Sequence, residues 1–110
     1  MKSNQTYLKH ILEAIEKIES YIGDSDFAAF QKNNMMLDAV VRELQIIGEA
    51  TKQLSEDFRD QHAEVPWPKI RAMRNYLVHE YFGVNVKVVW DTCAINLPEL
   101  KTYVLELLGL

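Results

Sequence analysis

Apolar residues recur along the chain at three- and four-residue steps, with few strand-like alternations. Tyr7, Leu8, Ile11, Leu12, Ile15, Ile18 and Ile22 mark one face of a helix. Ser3 or Thr6 can cap its start, and Gly23 stands where a helix end favours glycine. Asp24-Ser25-Asp26 reads as a turn that can cap a short helix carrying Phe27 and Phe30. Asn33 or Asn34 opens a second long helix, whose stripe is Met36 or Leu37, Val40, Val41, Leu44, Ile47 and Leu54. Gly48 falls inside this stripe, where it costs the helix about 1 kcal/mol against Ala. Close approach of another helix and a tolerated surface position both fit it. Ser55 to Val65 is polar and reads as a connection with room for one helical turn.

Pro66-Trp67-Pro68 interrupts the pattern, and Pro68 suits the first turn of a third helix because its missing N–H has no partner there anyway. That helix is predicted from about Pro68 to Tyr81, with Gly83 ending it. Asn85 can cap a last helix through Val88, Val89, Trp90 and Ile95. Pro98 is expected to kink or break it, after which Leu100, Tyr103, Val104, Leu107 and Leu108 continue the stripe. No repeat, low-complexity segment or long linker divides residues 1–110. The pattern predicts one all-α domain, an antiparallel up-and-down bundle of four main helices plus short helical segments.

Composition agrees with a globular domain: the chain has 110 residues, 48% of them apolar and 25% charged. The net charge is −4 and the pI is near 5.3. That excludes a nucleic-acid binder working through bulk positive charge, for which the pI usually exceeds about 9. Any contact with nucleic acid must come from a local patch. Cys93 is the single cysteine, so neither an internal disulfide nor a zinc-ligand spacing is available to it. No apolar run approaches the roughly 18–20 residues of a membrane span. The opening MKSNQTYLKH is polar and lacks a cleavage site. A cytoplasmic protein without membrane contact, metal or cofactor is expected.

The third helix carries the chemistry. With Arg71 at zero on a wheel of about 100° per residue, Ile70, Met73 and Leu77 fall at about 260°, about 200° and about 240°, one compact core stripe. Asn75 falls at about 40°, His79 at about 80° and Arg74 at about 300°. Arg71, Arg74, Asn75 and His79 therefore share a different face. An ordinary solvated face mixes Glu, Lys and Gln; this one gathers two guanidiniums, an amide and an imidazole. Arg presents a planar fork of donors to phosphate oxygens. His titrates near neutrality and serves as general acid or base. Together these are the parts of metal-free RNA cleavage: a base for the ribose 2′-OH and a cation for the charge growing on the phosphate. Lys69, Arg71 and Arg74 form a local basic patch despite the acidic total.

One helix face makes a poor pocket, because Arg74 and His79 stand about 140° apart around the axis. A two-fold homodimer would bring a second such pair beside the first. Val78, at about 340° in the middle of the polar face, fits a face that is partly covered.

Arg74-(four residues)-His79-Glu80-Tyr81 has the pattern R-x4-H-x-Y. It sits in the run Arg74-Asn75-Tyr76-Leu77-Val78-His79-Glu80-Tyr81-Phe82-Gly83-Val84, preceded by Pro66-Trp67 and followed by Trp90. Ile47-Gly48-Glu49-Ala50 lies upstream. These blocks, in this order, resemble the HepT-like branch of the HEPN superfamily. The resemblance runs over nearly the whole chain and is strongest from Asp38 to Trp90. It implies an all-helical bundle and a homodimer with the motif helices at a shared cleft. It also implies a metal-independent ribonuclease acting as the toxin of a type VII-like toxin–antitoxin pair. The partner it implies is a small nucleotidyltransferase of the MntA type, in a hetero-oligomer of unspecified size, which adenylylates the motif tyrosine, here Tyr81. Carried over residue by residue, Arg74 and His79 are catalytic, Asn75 is supporting and Tyr81 is the modified position. Arg71, on the same face, is a second supporting candidate. AMP on Tyr81 would add bulk and negative charge near Arg74 and compete with RNA phosphate.

Plainer roles also fit these residues. Arg74 could pair with Glu49, Asp38 or Glu80, and Asp38 with Arg42 one helical turn on. Asp38, Arg42 and Glu49 are candidates for holding Arg74 or His79. Trp67 and Trp90 read as packing residues more than base-stacking platforms. The other function class consistent with the chain is a non-catalytic helical module that binds a nucleotide or a nucleotidyltransferase partner.

Overall fold

The computed structural model describes residues 3–80 and 83–110. Its helices are α1 (Asn4–Ile22), α2 (Phe27–Lys32), α3 (Asn34–Gln53), α4 (Glu56–Gln61), α5 (Trp67–His79), α6 (Val86–Asp91) and α7 (Leu97–Leu108), with a π-helical stretch, Thr92–Asn96, between the last two. Among the described residues there is no strand, and the all-α bundle is the expected one.

Local chemistry opens most of these helices. The side chains of Ser3, Asp26, Asn33, Ser55 and Asn85 each accept a backbone N–H from the first turn that follows, at 2.9 to 3.3 Å. A cap of this kind contributes about 1 kcal/mol. Helix α5 has no side-chain cap; Pro68 in its first turn leaves one fewer N–H to satisfy. Gly23 ends α1 at φ 52°, and its N–H donates to the Glu19 carbonyl.

Contacts at the helix ends set the directions. Asn4, at the start of α1, exchanges two hydrogen bonds with Ser55, just past the end of α3, at 3.0 and 3.2 Å. Lys101 near the start of α7 holds Glu19 near the end of α1 at 2.9 Å. Both pairs therefore run antiparallel. The core between them is Leu8, Ile11, Ile15 and Ile18 of α1, Val40, Leu44 and Ile47 of α3, Leu77 of α5, Val89 of α6, and Leu97, Leu100 and Val104 of α7. Phe30 of α2 is fully buried and packs on Trp90 with ring centroids 5.2 Å apart.

At Gly48 the close approach of another helix is the role realised. A Cβ built there would lie 2.5 Å from both Cβ and Cγ of Arg74, so α3 and α5 cross in contact at this residue. The missing side chain is what brings the root of Arg74 against the backbone of α3.

Two expectations are corrected. Helix α5 ends at His79, with the Glu80 N–H closing on the Tyr76 carbonyl, and Gly83 is not its cap. The chain beyond is tied back by the Asn85 N–H, which donates to the Tyr76 hydroxyl at 2.9 Å. At Pro98, where a kink or a break is expected, the helix does not break; the disturbance is a π-helical stretch just before the proline. Through the π-helical stretch the Leu97 N–H reaches back five residues to the Thr92 carbonyl. Pro98 then sits in the first turn of α7, where it avoids the carbonyl clash of a helix interior.

Gly48→Ala is expected to destabilise the fold by about 1–3 kcal/mol through overpacking, although Ala is the better helix former by about 1 kcal/mol. Denaturant unfolding reads the sign, and a stabilised variant would contradict the crossing. Burial pushes the Cys93 thiol up from 9.0 to about 12. The folded chain binds this proton more tightly than the unfolded one, so its contribution is full below about pH 9 and is lost as pH rises from there. Alkylation at about pH 8.5 should accordingly be much slower in the native chain than in denaturant, and equal rates would refute the burial.

Candidate functional site

The crossing at Gly48 fixes where Arg74 leaves α5. From there its Nε donates to Glu49 Oε1 at 2.7 Å, and its Nη2 lies 2.6 Å from the same oxygen. Nη1 donates to Asn75 Oδ1 at 3.2 Å. The Arg74 side chain is 30% exposed and that of Glu49 is 50% exposed, so the ion pair adds at most about 1 kcal/mol to stability. Its consequence is orientation: the guanidinium plane is held by partners on two helices.

Two hollows meet at Arg74. The wider, about 500 Å³, lies between α1, α3 and α5, where Tyr7, His10, Arg42, Glu49, Arg74 and Val78 face one another. The narrower, about 330 Å³, lies on the other side between α3, α4 and α5. Arg71, Arg74 and Asn75 all line it, so these members of the polar face are brought together. His79 is not among the residues lining either hollow. It is exposed at the last residue of α5 and has no side-chain hydrogen bond or ion pair with a described residue. Tyr81 lies outside the described residues.

The upstream candidates separate. Glu49 holds Arg74. Arg42 lines the wider hollow without forming an ion pair with a described residue. The Asp38–Arg42 pair is not formed; both residues are exposed and line a separate depression beside Leu77 and Val84. Val78 is 45% exposed in the middle of the polar face. Trp67, by contrast, is only 6% exposed and packs inward. Its Nε1–H is shared between the carbonyls of Arg59 at 3.2 Å and His62 at 3.0 Å, which pins the end of α4 to the start of α5.

Several residues around Arg74 are not visible to sequence reasoning. His10 and Tyr7 belong to an amphipathic helix and carry no local signal of a cleft. Thr51, Lys52 and Arg59 are hidden differently. Thr51 and Lys52 follow Gly48 by three and four residues, so once Gly48 is known as the crossing point they must face α5. Arg59 belongs to a stretch whose sequence reads only as a polar connection. Among the described residues no group of three or more His, Cys, Asp or Glu side chains is placed to hold a metal ion. No described helix is long and apolar enough to cross a membrane.

The bundle thus presents the R-x4-H run on an exposed helix, with Arg74 braced by Glu49 of the neighbouring IGEA segment. A family model described as Ribonuclease HepT-like matches residues 11–107, and the chain belongs to this family. It is 44% identical over 108 residues to a protein of Caldanaerobacter subterraneus subsp. tengcongensis provisionally named an RNase, covering 98% of this chain and 96% of the relative. It is 43% identical over 100 residues to the "Probable ribonuclease HepT" of Thermococcus cleftensis, covering 91% of each. No solved structure matches the chain.

Two substitutions test the scaffold around Arg74. Glu49→Gln should change stability by less than about 1 kcal/mol while releasing the guanidinium, visible as a shifted and broadened Arg74 Nε–H resonance. Trp67→Phe removes the donor shared by two carbonyls and should cost about 1–3 kcal/mol in denaturant unfolding. A neutral result would mean that the indole does not anchor α4.

Proposed function

We propose that this chain is a metal-independent endoribonuclease, the toxin of a type VII-like pair, with its active site assembled where two copies meet. The observation that carries the reading is Arg74, braced by Glu49 and Asn75 at the junction of two open hollows and little more than one turn before His79 on the same helix. The family supports it, since two of its similar relatives are named as ribonucleases.

The chemistry follows from the residue types. A base removes the proton of the ribose 2′-OH, and that oxygen attacks the adjacent phosphorus. The bond to the 5′ oxygen breaks, leaving a 2′,3′-cyclic phosphate, and the departing oxygen receives a proton. Arg74 stabilises the charge that builds on the non-bridging oxygens. His79 serves the proton transfers. One imidazole per chain covers one transfer at a time; a two-fold pair of motif helices supplies both. Exposed Val78, flanked by Arg74 and His79, supports that pairing because a second copy would cover it.

Tyr81 is the proposed site of adenylylation by a nucleotidyltransferase antitoxin of the MntA type. It follows His79 by two residues, so AMP there places negative charge beside the cations that RNA needs. The second reading, a non-catalytic partner-binding module, is favoured by the net charge of −4, which weakens unspecific affinity for RNA.

Labelled RNA incubated with the protein and a chelator separates the two. Arg74→Ala and His79→Ala should each lower cleavage at least about 100-fold. Equal activity in the wild type and both variants would sink the assignment. Val78→Glu should give monomers by sedimentation and lose cleavage in parallel, whereas a fully active monomer would overturn the shared site. After co-expression with a nucleotidyltransferase of this type, mass spectrometry should find AMP on the wild type and none on Tyr81→Phe.

A further inference from the structure

The narrower hollow beside Arg74 has a lining at odds with the acidic total of the chain. Lys52 from α3, Arg59 from α4, and Arg71 and Arg74 from α5 line it, together with Thr51 and Asn75, and no carboxylate does. Lys52, Arg59 and Arg71 have no carboxylate oxygen within ion-pair distance among the described residues. Unpaired cations are common on this chain; what distinguishes this group is that four cationic side chains from three helices line one hollow that no carboxylate lines.

A second observation is independent of charge. Among the described residues, two buried side-chain atoms lack a hydrogen-bond partner, Thr51 Oγ1 and Arg59 Nε, and both residues line this hollow. Thr51 is 4% exposed. Native folds rarely leave such atoms unpaired without a ligand or water to meet them. Both atoms lie out of solvent beneath the lining, so a ligand would be met by the accessible donors above them; Lys52 and Arg71, exposed and without an ion-pair partner among the described residues, match the needs of an oxyanion. Phosphate suits them best, because its several oxygens accept forked donors from Arg and a point charge from Lys together. The site is also built to stay in place. Trp67 ties the carbonyl of Arg59 to the start of α5, and Gly48 sets the spacing between α3 and α5.

We infer that the hollow between α3, α4 and α5 is a phosphate-binding subsite, and that in the working protein it holds a backbone phosphate of the RNA next to the one that is cut. The source is argued from Arg74, which lines both hollows: a strand whose scissile phosphate meets this guanidinium has a flanking phosphate available for the basic side. This assignment of the source rests on the ribonuclease reading; the phosphate site itself does not.

The test uses the full chain and three probes: inorganic phosphate, AMP, and a short RNA with 2′-O-methyl groups throughout, which cannot be cleaved. In nitrogen–proton spectra all three should move the Arg59 Nε–H and Trp67 Nε1–H resonances. The variant Lys52→Gln/Arg71→Gln alters two exposed side chains, and its thermal midpoint confirms folding. It should bind the 2′-O-methyl RNA about tenfold more weakly at low salt and lower the salt slope by about 0.7 for each phosphate no longer neutralised. Unmoved resonances with every probe overturn the site. Resonances that move with AMP but not with the RNA, or an unchanged affinity and slope in the variant, overturn its assignment to the strand. Failure of the ribonuclease reading is recognised separately, as unmodified RNA left intact by the wild type while phosphate and AMP still bind.

Discussion

The closeness of α3 and α5 at Gly48 is the constraint from which the site follows. A helix pair separated by ordinary side chains would carry the Arg74 root outward, and its guanidinium would swing free above α3. With no Cβ in the way, the root lies against the backbone of α3, and Glu49, the next residue, takes two guanidinium nitrogens at once. The same contact turns Thr51 and Lys52 toward α5. One absent methyl group thus sets the brace, the wider hollow on one side and the basic hollow on the other. It also ties stability to function, since whatever pushes the helices apart displaces both.

Electrostatics in this chain is a matter of placement and not of total. Its carboxylates outnumber its cations, and several are engaged far from Arg74, as in the Glu19–Lys101 and Asp91–Lys87 pairs. Near Arg74 the balance inverts. Glu49 is the single carboxylate held against that guanidinium among the described ion pairs, and Lys52, Arg59 and Arg71 are left uncompensated. A neutral or acidic average over the surface is compatible with a strongly positive local field, because screening in salt water confines each charge's influence to about 10 Å or less.

Much of this was legible in the chain. The stripes of α1 and α3, the capping residues Ser3, Asn33 and Asn85, and the polar face of α5 all declare themselves through periodicity and turn chemistry, which are local properties. The R-x4-H-x-Y run with its flanking blocks points to the family whose model residues 11–107 match. What stayed hidden depends on which helix meets which. Gly48 has two local readings until Arg74 is seen against it. Arg59 looks like a loop cation until Trp67 anchors α4. The end of α5 at His79 comes with a tie between the Asn85 N–H and the Tyr76 hydroxyl that no periodicity encodes.

The π-helical stretch before α7 has a consequence for how the chain tolerates changes of length. Val89, Cys93, Leu97, Leu100 and Val104 face the core at about 3.75 residues per turn, and over that span a continuous α-helix would drift by about 60°. The wider π turn absorbs the drift and, in doing so, gives Pro98 a place at the start of a helix instead of inside one. Deleting one residue between Thr92 and Asn96 would restore α-helical spacing and simultaneously drive the proline ring into the preceding turn. The proline therefore depends on the extra residue and not the reverse: losing that residue first would leave the ring inside a helix, whereas replacing Pro98 first leaves the opening turn of α7 and the core register as they are.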